Sequence, residues 1–158
     1  MPMITSPPSP AATSLRVVVI DDSEDLVYLV RGAMERTGQF RVVAEASDGE
    51  QGVAAVKKEQ PDLVLLDILM PVMDGMAALP LIREACPDSI VVMLSALGDS
   101  TGMPEKAMAL GANGYIHKDG RLQALPEQLR VIVGGAIAER AARRARESAL
   151  PTSPGVDG

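Results

Sequence analysis

Residues 62–75 read D-L-V-L-L-D-I-L-M-P-V-M-D-G. The apolar run at 63–66 has strand length, and the turn-rich segment behind it, with Pro71 and Gly75, ends it. A strand without polar alternation is covered on both faces, as in a parallel sheet. The residue that follows is Asp67. Parallel sheets bind ligands just beyond the carboxyl ends of their strands, so Asp67 stands where chemistry is expected. Core packing alone does not call for a carboxylate there, because a charge at the edge of an apolar interior needs a partner.

Outward from this stretch, further strands are predicted at 15–20, 41–46, 90–94 and 115–117. Helices are predicted between them. The first covers about 25–37, with Asp22 as cap, Leu26, Leu29, Val30 and Met34 on one face, and Gly38 as its stop. The second covers 50–59, opened by a capping box of Ser47 and Glu50 and carrying Val53, Ala54 and Val56. The third covers 76–85, where Pro80 predicts a kink or a late start. A short helix opens at Pro104 and reaches Leu110. A last core helix opens at Pro126 and Glu127, carries Leu129, Ile132 and Val133, and is broken by Gly134-Gly135. Strand and helix alternate five times. That implies an α/β, doubly wound parallel sheet of the flavodoxin-like order 2-1-3-4-5, with a C-terminal helical extension.

The chain has 158 residues, which suits one domain. Apolar residues make up 47% and aromatics 2%, so the core is aliphatic. A net charge of −6 argues against a nucleic-acid surface over the whole molecule. The lone Cys86 excludes an internal disulfide and fits a reducing, cytoplasmic location. No apolar run has the length of a membrane span. Residues 1–14, rich in Pro, Ser and Thr, read as a disordered leader, 15–135 as the folded domain and 136–158 as a helical linker and tail.

The residues that follow each strand form one constellation. The first strand is followed by Asp21 and Asp22, the third by Asp67, the fourth by Ser95 and the fifth ends on Lys118. In a parallel sheet these ends share an edge. Carboxylates crowded there require a cation, and hard oxygen ligands suit Mg²⁺. A hydroxyl and an ammonium beside them suit the oxygens of a phosphoryl group. The sum is a carboxylate nucleophile of the aspartyl-phosphate kind. Each residue alone has a plainer reading: Asp22 a helix cap, Asp67 a turn residue, Ser95 a cap, Lys118 a solvated charge. All four being plain together, each at its own strand end, is improbable. His117, without Cys or His partners, reads as structural, and Asp74-Gly75 as a turn without chemistry.

Over 16–133 the chain resembles the receiver domains of bacterial two-component response regulators. The resemblance is carried by Asp21-Asp22, D-I-L-M-P-V-M-D-G around Asp67, Ser95-Ala96, and Tyr115 three residues before Lys118. It implies that Asp67 takes a phosphoryl group from a histidine kinase or histidine phosphotransfer protein. It implies Mg²⁺ bound by Asp22, Asp67 and the carbonyl of Leu69, with Asp21 holding a metal-bound water. Lys118 pairs with the acceptor and then the phosphate, Ser95 moves to the phosphoryl group, and Tyr115 turns inward behind it. A downstream protein partner reads the switched surface, and a phosphorylation-dependent homodimer is compatible with this. Leu69 and Leu97 depart from the polar versions of the family. Neither orients water, so a long-lived phosphoryl state is expected.

A phosphatase of the haloacid dehalogenase type also uses an Asp nucleophile, but it wants an acid where Leu69 stands. The span 107–133 resembles receivers attached to LuxR-type helix-turn-helix domains. Only 23 residues follow Gly135, too few for that domain. The expectation is a stand-alone receiver, or the receiver part of a DNA-binding transcription regulator whose output domain is missing. The stretch 136–150 is rich in Ala and Arg and offers little apolar area, so it is expected to be a mobile or partner-ordered extension decoupled by the glycine pair.

Overall fold

Strands β1 (Leu15–Ile20), β2 (Phe40–Ala46), β3 (Leu63–Leu66), β4 (Ile90–Ser95) and β5 (Gly114–His117) pair in parallel in the order β2-β1-β3-β4-β5. This is seen in a computed structural model that describes residues 14–97, 101–119 and 121–149. The expected leader, apart from Ser14, and the tail from Leu150 lie outside the described residues.

Every side chain of β3 is at most 1% exposed, as its unbroken apolar run predicts. Alternation along the strands divides the core in two. Val17, Val19, Leu63, Leu65 and Val92 pack with Val27, Val30, Leu129 and Val133 on one face. Val18, Ile20, Val64, Leu66 and Met93 pack with Val56, Leu79 and Ile82 on the other. Each large aliphatic side chain so buried contributes about 1.5–3 kcal/mol, and together they hold the strand ends that carry the polar residues.

Helix α1 spans Glu24–Glu35, and its cap is Ser23, which accepts from the Leu26 amide, rather than Asp22. Its buried stripe is Val27, Val30 and Met34, whereas Leu29, expected inside, is 57% exposed. Helix α2 spans Gly49–Glu59 and starts one residue earlier than predicted. Asp48 is the cap, accepting from the Gln51 amide at 2.8 Å and from Gln51 Nε2 at 3.0 Å, in place of the box expected from Ser47 and Glu50. The Gly49 amide donates to Met73 O at 2.9 Å, which fixes that start. Val56 is buried but Ala54 is exposed.

Helix α3 spans Gly75–Ala85, capped by Asp74, and Pro80 lies within it, so there is no late start. Helix α4 spans Met103–Ala109 with Pro104 in its first turn. A 3-10 turn at Leu122–Ala124 leads into α5 (Leu125–Ala149), 25 residues long. The break expected at Gly134-Gly135 does not occur. Two glycines cost about 1 kcal/mol each in a helix interior, and docking on both sides offsets this. Val133 and Ala136 are buried, and the Arg140 guanidinium donates to Asp88 O at 2.6 Å and Ser89 O at 3.3 Å. The extension is therefore anchored as far as Arg140, and 141–149 are exposed. No described helix is long and apolar enough to cross a membrane.

Candidate functional site

Asp67 is placed by the end of β3 and is 5% exposed. Its amide donates to Ile20 O at 2.9 Å, and its Oδ1 accepts from the Ile68 amide at 2.8 Å. The chain then turns sharply. Met73 N donates to Pro71 O at 2.7 Å around Val72, whose φ is 69°. Gly75 closes the loop: its amide donates to Ile68 O at 2.7 Å, and a Cβ there would lie 1.9 Å from the Asp67 carbonyl oxygen. Gly75, which reads from sequence as a turn without chemistry, is thus what lets α3 press against the Asp67 backbone. The adjacent Asp-Gly pair is the signal that could have shown it.

Asp21 and Asp22 follow β1. Asp21 is 3% exposed; its amide donates to Ala46 O and its Oδ1 accepts from the Ser23 amide, both at 2.9 Å. Ser23 therefore caps α1, the role expected of Asp22, and its amide also pins Asp21. Asp22 itself is exposed. Lys118, just beyond β5, is tied to β4 by its amide, which donates to Ser95 O at 2.8 Å. Its Nζ lies 2.6 Å from Asp21 Oδ2 and 3.2 Å from Asp67 Oδ1.

Burial first, and then the charge of Asp21, raise the pKa of Asp67 above its ordinary value, against the lowering pull of Lys118. Burial lowers the Lys118 pKa, but the hydrogen bond and charge of Asp21, followed by those of Asp67, outweigh it, and the net shift is upward. One ammonium thus serves a cluster of carboxylates. Oxygens of Asp21, Asp22 and Asp67 all lie within 4.8 Å of one another. Asp21 Oδ2 is buried and accepts no well-directed hydrogen bond, so the ion pair with Lys118 is its compensation. A hard divalent cation fits this donor set: it would neutralise the excess negative charge, and the exposed Asp22 leaves room for water.

Ser95 ends β4, is 1% exposed, and its Oγ accepts from the Leu97 amide at 3.1 Å. Tyr115, half-buried on β5, donates from its hydroxyl to Leu97 O at 3.4 Å. The side chain of Leu69 is 61% exposed in the loop after Asp67. The structure thus gathers Asp21, Asp22, Asp67 and Lys118 directly. Ser95 is joined through the Lys118 amide, and Tyr115 through Leu97.

The profile of the response regulator receiver domain matches residues 17–130. The chain belongs to the response regulator receiver family. Receiver domains bind Mg²⁺ at an acidic pocket, and the Asp21, Asp22 and Asp67 cluster is such a pocket. This receiver is 40% identical over 122 residues to a protein-glutamate methylesterase/protein-glutamine glutaminase of Maricaulis maris, covering 75% of this chain and 30% of that protein. It is 37% identical over 103 residues to the chemotaxis protein CheY of Bacillus subtilis, covering 65% of this chain and 84% of CheY. The signal receiver domain of the response regulator NarL from Mycobacterium tuberculosis superimposes with a TM-score of 0.71 at 30% identity, over 77% of this chain and 98% of that one. The receiver spans about a third of the length of the methylesterase relatives it matches. Membership also disposes of the dehalogenase-type reading.

Proposed function

We propose that Asp67 is the phosphoacceptor of a signalling receiver that takes its phosphoryl group from a histidine kinase or histidine phosphotransfer protein. The observation that carries this reading is the approach of Lys118 Nζ to both Asp21 and Asp67 inside a cluster of three carboxylates. A carboxylate oxygen of Asp67 attacks phosphorus. The bond from phosphorus to the donor nitrogen breaks, and the electron pair leaves with the imidazole, which takes up a proton. Lys118 steadies the ionised carboxylate before transfer and the phosphoryl oxygens after it. Asp22, Asp67 and the Leu69 carbonyl would hold Mg²⁺, with Asp21 bonding a water of its shell, and the ion would supply charge neutralisation for the phosphoryl oxygens. Ser95 then donates to a phosphoryl oxygen and Tyr115 follows.

The group adds about −1.5 to −2 charge and three acceptors. Contacts made only in that state shift the surface that a downstream protein reads. A cytoplasmic location and a phosphorylation-dependent homodimer accord with this role. A second reading, the receiver part of a DNA-binding transcription regulator, is favoured by 33% identity over 121 residues to the transcriptional regulatory protein DegU of Brevibacillus brevis, covering 77% of this chain and 51% of that protein. The test is incubation with acetyl phosphate and Mg²⁺, followed by intact-protein mass. The wild type gains one phosphoryl group and Asp67→Asn gains none; equal labelling of the variant would falsify the reading.

A further inference from the structure

The loop over 68–74 carries the Leu69 carbonyl, and its shape decides where that carbonyl stands. Two backbone bonds shape it locally, Gly75 N to Ile68 O and Met73 N to Pro71 O, both at 2.7 Å. The second closes a three-residue turn around Val72, whose φ of 69° lies in the left-handed region that a β-branched residue avoids. The Val72 side chain is 77% exposed, so burial does not offset that strain and other contacts must hold the turn. A third bond crosses to another element. The Gly49 amide, in the first turn of α2, donates to Met73 O at 2.9 Å.

Backbone freedom does not explain the glycine at 49. It is helical and its φ is not positive, and alanine forms helix better than glycine. What Gly49 supplies is room. A Cβ there would lie 2.4 Å from Met73 O and 3.0 Å from Met73 C, and backbone atoms cannot rotate aside. The start of α2 is itself firmly mounted. Buried Asp48 caps it, and Gly52 lies against Ile20, where a Cβ would be 2.6 Å from Ile20 Cδ1. Ile20 ends β1, just before Asp21. The first turn of α2 thus spans from the strand end that leads to Asp21 and Asp22 to the loop that follows Asp67.

We propose that Gly49 is a positioning residue of the cation site: its amide, together with its lack of a Cβ, holds the loop after Asp67 and so sets the Leu69 carbonyl. The proposal rests on the reading of Asp67 as phosphoacceptor with Mg²⁺ beside it. Strand pairing fixes Asp21 and Asp67, because Ile20 pairs with Leu66 and the Asp67 amide donates to Ile20 O. Leu69 lies beyond the strand and depends on how its loop is tied. By linkage, a bond that favours the cation is strengthened by the cation by the same factor.

The experiment measures Mg²⁺ affinity of the full chain by ¹⁵N and ¹³C′ chemical-shift titration, and amide hydrogen exchange of the wild type with and without Mg²⁺. Gly49→Ala is expected to weaken Mg²⁺ binding about tenfold, the lower end of what groups that orient metal ligands contribute. It is also expected to reduce the shift that Mg²⁺ causes at the Leu69 carbonyl carbon. A glycine with a purely structural role would lower the melting midpoint and leave the affinity of the folded protein unchanged. In the wild type, Mg²⁺ is expected to slow exchange of the Gly49 amide about tenfold beyond any slowing at the Gly52 amide, which bonds to Asp48 O within the same helix. Gly49→Ala affinity within about twofold of wild type overturns the proposal, and so does equal slowing at Gly49 and Gly52. If Gly49→Ala does not fold, exchange in the wild type decides alone. A wild type that binds no Mg²⁺, or whose Leu69 carbonyl carbon ignores it, refutes the reading of the site, and the positioning role falls with it.

Discussion

At Asp67 stability and function pull in opposite directions. Its carboxyl is held above the ordinary pKa by burial and by Asp21, so the folded state binds this proton more tightly than the unfolded chain does. The sign follows. Below the unfolded value of 3.8 Asp67 costs nothing; as pH rises from there through the folded pKa the fold loses stability, and above it the loss is complete. Asp67→Asn is therefore expected to raise the thermal midpoint of the metal-free protein at pH 7, with the gain vanishing below pH 3.8. Melting curves across that range check it, and a variant less stable at pH 7 would contradict the electrostatic account. Leu69 supplies a second prediction. An apolar side chain, 61% exposed in the loop after Asp67, cannot orient water. Leu69→Asn should shorten the lifetime of the phosphoryl group several-fold, on the order of what one positioned water contact contributes. Decay of the phosphorylated species after donor removal measures this, and an unchanged or longer lifetime counts against it.

At the scale of elements, α5 is where the sequence was least legible. A glycine pair inside an Ala-rich stretch has poor local helix propensity and reads as a break. What overrides it is tertiary: Ala136 buried, and Arg140 reaching the carbonyls of Asp88 and Ser89, 51 or more residues away in sequence. Arg83 holds the same turn, donating to Pro87 O at 3.0 Å, and its own pKa is lowered first by burial and then by the nearby Arg140. Arg140→Ala is expected to cost about 1 kcal/mol, since charged donors to carbonyls are worth more than neutral ones but this pair is partly solvated. Phosphorylation should persist, because the contact lies at the opposite end of the sheet from Asp67. Denaturant unfolding gives the first and donor labelling the second; unchanged stability would mean that the anchoring is superficial. The capping shifts at Ser23 and Asp48 have a similar origin. Each acts one residue away from the predicted cap because a bond from elsewhere, Asp21 Oδ1 to Ser23 N or Met73 O to Gly49 N, fixes the start of the helix.

For the whole molecule, the strand order was legible from the alternation of strand and helix, and the ends of the central strands from two local signals. These are unbroken apolar runs, which must be buried on both faces, and polar residues set where each run stops. Residues 63–66 with Asp67, and 17–20 with Asp21, needed nothing more. The meeting of Tyr115 and His117 on the Leu97 carbonyl was not legible. It joins a strand to a loop through a backbone oxygen, and no side-chain pattern encodes the partner of a carbonyl. The central claim, that the sheet delivers its groups to Asp67 for phosphoryl transfer, is tested most directly by locating the acyl phosphate. The wild-type chain is incubated with acetyl phosphate and Mg²⁺, reduced with borohydride, digested and sequenced by mass spectrometry. Reduction should convert residue 67 alone to homoserine, and only when both reagents are present; homoserine at another aspartate, or none at 67, would contradict the account.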